Sequence, residues 1–207
     1  VLGVEHPVAV DVVVAQVAHA VAVGVTLHVV GDFLAIVAGI SDRVAVMNDG
    51  DIEQIDTPQQ VFQQPESRFV AGFLGHASFL SGEVHGDSVD TALGRVLRDD
   101  VHGLAHQYDG SVVDLLVRPD DVTAYPAAGA EADGRVVYRR YLGPTVLYRV
   151  ELDGGETIEC MHNHSDRIDL DERVAVRVTA DHELAWFPAD HREDVDADAE
   201  TTPASAD

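Results

Sequence analysis

The 207-residue chain contains no lysine: all 13 of its cationic side chains are arginine. That absence excludes chemistry. A phosphate-binding P-loop needs a lysine on the β/γ-phosphates, a protein kinase needs its strand lysine, and a Schiff-base enzyme needs an amine. Cysteine is almost as scarce. Cys160 stands alone, so no disulfide can form within the chain, which fits a reducing compartment. Cations as a class are outnumbered by 37 Asp and Glu, leaving a formal net charge of −24. Such a charge repels nucleic-acid phosphates and an anionic membrane surface alike. No Lys or Arg n-region precedes the first apolar run, so no signal peptide is expected. The first residue is Val1 rather than Met, as in a fragment or a chain begun from a non-standard start codon.

What is present is ordinary for a folded chain. Hydrophobic residues make up 46%, enough for a packed core, and the length suits one or two domains. Excess carboxylate, arginine in place of lysine and only 6% aromatics point to a high-salt cytoplasm, where salt screens self-repulsion. The plainer alternative is an acidic protein from a GC-rich gene.

Residues 1–40 are dominated by Val and Ala. The uncharged stretch between Asp11 and Asp32 has the length of a bilayer span. Gln16, His19 and His28 dilute it, and no basic residue flanks it. It reads better as buried strand and helix segments of an α/β domain. Residues 25–30 suit a buried strand, whereas the β-branched residues of 12–23 weaken the case for a helix there. Further on, residues 43–47 and 51–55 are alternating apolar runs joined by Asn48-Asp49-Gly50, a hairpin signal. Thr57, Pro58 and Gln60 make a helix start of the capping-box type. Phe62, Phe69, Phe73 and Leu74 supply the apolar faces of that helix and a second one beyond Pro65.

From Phe79 the pattern changes to short strands at 80–85, 111–118, 134–141, 146–152, 157–161 and 173–179, as in an all-β barrel or sandwich. Trp186 reads as packing in a final strand. Residues 127–133 form a small-residue acidic loop, and the acidic, Ala-rich tail from Asp190 is expected to be disordered.

Residues 41–50, 52–58, Val61-Phe62, Pro65 and 69–75 together resemble the ATPase subunits of ABC importers, at the point where the nucleotide-binding domain closes and leads to the C-terminal regulatory domain. Val117-Arg-Pro-Asp-Asp-Val122, Tyr141-Leu-Gly-Pro-Thr, Tyr148-Arg-Val-Glu-Leu and Ala185-Trp-Phe-Pro188 resemble that family's transport-associated OB domain. The resemblance implies an α+β chain. Residues 1–75 would be a truncated α/β remnant of the nucleotide-binding domain, 76–189 an all-β OB-like barrel, and 190–207 a disordered acidic tail. Residues 2–11 align with the Walker B and D-loop stretch. Glu5 falls at the catalytic glutamate, Asp11 at the D-loop aspartate, and Val4 replaces the Walker B aspartate. Residues 24–33 align with the switch stretch, where Gly31 replaces the histidine. The P-loop and signature loop would lie upstream of Val1.

Phosphoryl transfer depends on positioning and charge neutralisation. With Val4 and Gly31 at those two positions, Glu5 alone supplies no catalysis, so no ATP hydrolysis is expected from these residues and no cofactor is expected. ATP and Mg²⁺ belong to the full-length family. Cys160, His162 and His164 alternate and would share one face of a strand. They are candidate Zn²⁺ or Cu ligands without an evident fourth. His76, His85, His102 and His106 read as scattered, exposed loop residues.

The expected role is thus a regulatory or accessory part of an importer ATPase subunit. Implied partners are permease subunits, a second ATPase subunit and a twin β domain, but not nucleic acid. The implied place is the inner face of the cell membrane. Two alternatives stay open: a free-standing module for small oxyanions, for which Arg139-Arg140 could supply charge, and an active ATPase whose reading frame extends upstream. The β-domain pattern looks most like that of importers of iron(III), sulfate, thiamine or polyamines.

Overall fold

A computed structural model describes residues 11–16 and 42–189. The chain divides into two compact units, Val1–Gly75 and His76–Asp207. It is mostly β with few helices.

In the first unit, strands β1 (Asp11–Gln16), β2 (Arg43–Asn48) and β3 (Asp51–Asp56) form one sheet in that order, β1 parallel and β3 antiparallel to β2. Asp49 (φ 50°) and Gly50 (φ 97°) both take positive φ. This is the type I′ conformation whose twist matches the strands it joins. Helix α1 (Pro58–Gln63) starts where expected, with Thr57 Oγ1 accepting the Gln60 N–H at 3.3 Å. The other arm of the cap differs from the expected box. The Thr57 N–H donates to Asp56 Oδ1 at 2.7 Å rather than to Gln60. Helix α2 (Arg68–Phe73) follows, capped by Ser67. Buried Gln54 pins the loop between the helices. Its Nε2 donates to the Gln64 carbonyl (3.1 Å) and its Oε1 accepts from Glu66 N (3.0 Å). Val44, Val46, Val61, Val70 and Leu74 form the small core, with the three Phe against it.

The Val-rich segment opens as a strand over Asp11–Gln16, in keeping with the β-branched side chains that weaken the case for a helix there and suit a pleated surface. Among the described residues of this unit, two six-residue helices accompany a three-stranded sheet with one parallel pair; an α/β nucleotide-binding remnant is not shown by them, and residues 1–10 and 17–41 lie outside the described residues.

The described residues of the second unit are all β apart from three short 3₁₀ turns. Strands β4 (Ser78–His85), β5 (Ser88–Thr91), β6 (Gly94–Leu97), β7 (Val112–Val117) and β13 (Trp186–Pro188) form a sheet in the order β13-β7-β4-β5-β6. Strands β8 (Val122–Pro126), β9 (Gly134–Tyr141), β10 (Thr145–Leu152), β11 (Thr157–Asn163) and β12 (Arg173–Val178) form a second, in the order β11-β10-β9-β12-β8. Alternate residues of both sheets, among them Leu80, Val84, Leu115, Val136, Tyr148, Val150, Ile158 and Val176, meet in one core. The period of two along each strand makes this possible. The expected strands are present, β9 at its expected bounds. β5, β6 and β8 were not anticipated. No helix of the described residues is long and apolar enough to cross a membrane.

Candidate functional site

The segment Arg118-Pro119-Asp120-Asp121 joins β7 to β8. Pro119 presets φ for the second position of a β-turn, and the Asp121 N–H donates back to the Arg118 carbonyl at 3.0 Å. The Asp121 carboxylate closes the turn from the side, its Oδ2 accepting the Arg118 N–H at 2.8 Å. Its Oδ1 lies 3.0 Å from His182 Nε2. The turn also bonds two distant strands through its backbone: Met161 N–H of β11 donates to the Pro119 carbonyl (2.7 Å), and Thr179 N–H, just past β12, to that of Asp121 (2.7 Å).

Arg118 is 3% exposed. Its Nη1 donates to the His76 carbonyl at 3.0 Å. Burial pushes the guanidinium down to about 10, against the opposing pull of Asp121 and Asp120. Burial also raises Asp121, opposed by the Arg118 N–H bond and by His182. Both shifts express one physical fact: a low-dielectric site disfavours charge, and the partner offsets part of the cost.

His76 links this turn to a polar row on the second sheet. Its Nδ1 lies 2.7 Å from Glu159 Oε2. Glu159 Oε1 accepts from Arg149 Nη2 (2.9 Å) and Nε (3.2 Å), and the Arg149 guanidinium sits 5.5 Å from the centre of the Tyr138 ring. Glu159 N–H donates to Ser78 Oγ at 3.1 Å. The first three residues of the unit are therefore clamped twice, by a buried cation and by a nearly buried anion.

The candidate ligand trio does not converge. Cys160 is fully buried in the core, and desolvation pushes its thiol up to about 12, which makes it an inert thiol rather than a thiolate donor. His162 is half-buried, and burial lowers its pKa. Its Nε2 accepts the Ala124 N–H at 3.1 Å, and its ring meets Tyr148 edge-on at 5.7 Å. His164 lies just past β11, its Nδ1 3.1 Å from the Pro144 carbonyl. Among the described residues, no group of three or more His, Cys, Asp and Glu is arranged to hold a metal ion. Asp11 opens β1, opposite Arg43. Val4, Glu5 and Gly31 lie outside the described residues, as do 190–207.

Sequence reasoning missed His76, Glu159 and His182 as one site with Arg118. The loop histidines are not bystanders either. Besides His76 and His182, His102 Nδ1 lies 2.7 Å from Glu183 Oε2 and His85 Nε2 3.3 Å from Glu83. Trp186 donates its indole N–H to the His102 carbonyl (3.0 Å) and packs edge-on against Tyr108.

The turn, Glu159 and the five strands of the second sheet lie where a known domain family aligns: residues 115–186 match the TOBE domain. The chain is homologous to the C-terminal parts of ABC importer ATP-binding subunits. It is 36% identical over 156 residues to a spermidine/putrescine import ATP-binding protein of Pseudomonas aeruginosa, covering 67% of this chain and 40% of that protein. A Rhizobium etli Fe(3+) ions import ATP-binding protein is 38% identical over 116 residues, covering 56% and 33%. A Chromobacterium violaceum sulfate/thiosulfate import ATP-binding protein is 38% identical over 119 residues, covering 58% and 31%. The chain thus spans less than half the length of the curated relatives it matches. A solved cytoplasmic molybdate-binding protein aligns at 13% identity, covering 54% of this chain and 94% of its own, with a TM-score of 0.39, too low to carry an argument.

Proposed function

We infer that the chain is a regulatory or accessory portion of an ABC importer ATP-binding subunit and that its 207 residues do not hydrolyse ATP on their own. Homology to importer ATP-binding subunits carries this reading. Within the β unit, His76 is held by the buried Arg118 and by Glu159. The lack of lysine supports the absence of catalysis, since the β/γ-phosphates then have no P-loop lysine to neutralise them. Residues 1–75 are read as the end of a nucleotide-binding domain and 76–189 as an OB-like regulatory domain. On this reading the partners are permease subunits and a second ATP-binding subunit, and the place is the inner face of the cell membrane.

Calorimetric titration of the full chain with Mg-ATP in high-salt buffer tests it. No binding heat is expected, and micromolar binding would overturn the inference. A parallel titration with sulfate and molybdate separates it from a small-oxyanion module, which would bind them strongly.

A further inference from the structure

Four Asp–Gly bonds punctuate the chain, at 49–50, 109–110, 133–134 and 153–154, and there is no Asn–Gly. Of the bonds that follow aspartate, the one to glycine closes most readily into an imide, because glycine has no Cβ to shield its nitrogen. The fold treats the four unequally. Asp109 Oδ1 accepts the Gly86 N–H at 2.6 Å and faces the Arg98 guanidinium at 3.5 Å, and the Gly110 N–H is itself bonded to the Val84 carbonyl at 2.8 Å. Asp133 Oδ2 accepts from Val176 N (2.8 Å) and Arg177 Nη1 (2.6 Å). Asp153 holds Arg173 with both oxygens, Oδ2 at 2.7 Å, and the hydrogen bond from that arginine keeps its carboxyl below the usual range.

Asp49 is the exception. It is exposed, as is Gly50, and its carboxylate takes no hydrogen bond or ion pair among the described residues. The Gly50 N–H has no partner among them either, and a Cβ built at Gly50 would meet nothing within 4 Å. A cation beside a carboxyl favours the charged form, which a nitrogen nucleophile does not attack. At 49–50 no cation holds the carboxyl ionised, and the amide next to it is unengaged.

We propose that Asp49–Gly50 is a spontaneous modification site at which aspartate converts to isoaspartate. In the first step the Gly50 nitrogen attacks Cγ of the protonated Asp49 carboxyl. The N–Cγ bond forms, the Cγ–OH bond breaks, and the hydroxyl leaves with the amide hydrogen as one water. In the second step one water opens the five-membered imide. Addition at Cγ restores aspartate; addition at the former main-chain carbonyl leaves the chain running through Cγ. No oxidant, reductant or enzyme enters.

Much hangs on this turn. Asp49 and Gly50 take φ 50° and 97°, the two successive positive values that a type I′ hairpin needs, and isoaspartate lengthens the main chain there by one carbon. The Asn48–Asp51 pair closes on the turn. Asn48 Nδ2 donates to Glu53 Oε1 at 3.3 Å, and Glu53 Oε2 accepts at 3.3 Å from Ser67 Oγ, the group that caps α2. A change at the tip therefore passes along β3 to the start of α2. None of this depends on the importer reading.

Ageing of the full chain for weeks in warm, near-neutral, high-salt buffer tests it. Tryptic peptides 44–68, 99–135 and 150–167 carry the four bonds, since Arg118 precedes Pro119 and is not cut. Electron-transfer fragmentation, which breaks isoaspartate differently from aspartate, assigns the residue. Isoaspartate, preceded by the dehydrated imide, is expected at Asp49 at least tenfold above Asp109, Asp133 and Asp153. Ageing in urea should bring the four sites within a few-fold of one another, because only the fold separates them. Asp49→Asn tolerates the same positive φ and forms the same imide with loss of ammonia, so it should speed conversion at 49 and leave the other three sites alone. Arg173→Gln should raise conversion at Asp153 several-fold with Asp49 unchanged. Equal conversion at all four sites of the folded chain, none at any site included, overturns the proposal. So does conversion led by any of the other three, or an Asp49→Asn chain no faster at 49 than the native one.

Discussion

Arg118 shows how a single buried cation organises this molecule. Its guanidinium reaches the His76 carbonyl and its backbone N–H is held by Asp121. Arg118→Met keeps the length of the side chain and removes the donor. A hydrogen bond from a charged group contributes about 1.5–3 kcal/mol, and a loss in that range is expected in urea unfolding of the full chain. His162 gives a pH dependence. Burial holds its folded-state pKa below the usual value, so the unfolded chain binds the proton more readily. The stability it contributes is present above about pH 6.5, its ordinary value, and is lost as pH falls through the depressed folded value. Protonation also removes the Nε2 lone pair that accepts Ala124 N–H. Thermal unfolding of the native chain should therefore weaken between pH 7.5 and 5.5 more than that of His162→Gln.

Elements differ in how plainly their residues announced them. β9 was legible to its ends because Gly134 and Leu142-Gly143-Pro144 bracket an uninterrupted β-forming run. The β2–β3 turn was legible because Asp-Gly suits two successive positive φ values. β5 and β6 escaped because each is four residues long, too short for a period of two to register. β8 escaped because it begins directly after a turn rich in Pro and Asp. The turn itself was visible only through family resemblance, and its partners were not visible at all: His76 and His182 lie 42 and 61 residues from Arg118 and Asp121, a distance over which no local pattern operates. The trio of Cys160, His162 and His164 stayed a mere candidate for the converse reason. Alternation predicts a shared face but not that the face is the core. Gly134 yields the prediction at this scale. A Cβ there would sit 2.5 Å from the Glu151 carbonyl oxygen and 3.0 Å from Leu152 Cα, both backbone atoms that do not yield easily. Gly134→Ala should cost about 1–3 kcal/mol, as overpacking does, measurable by denaturant unfolding. Gly154→Ala, with nothing within 4 Å of the added carbon, serves as the comparison.

For the molecule as a whole, charge is the dominant fact. A net −24 opposes compaction through self-repulsion, and the ion pairs that relieve it, such as Arg177–Asp133 and Arg173–Asp153, sit at the surface, where each contributes little. Screening the repulsion should therefore outweigh weakening the pairs. The unfolding midpoint of the full chain should rise as salt is raised from about 0.1 M to about 1 M; a midpoint that falls would mean that specific ion pairs dominate.

Trp186 is the single tryptophan of the chain, and it sits on β13, edge-on to Tyr108 with its indole N–H on the His102 carbonyl. β13 is a three-residue strand at the rim of its sheet, paired with β7 among the described strands. The protein thus carries a built-in optical gauge. Its emission colour and its energy transfer from Tyr108 report whether that rim strand is seated, with no label attached. A red shift that precedes the loss of far-ultraviolet ellipticity on heating would mark β13 as the first part of the β unit to peel away.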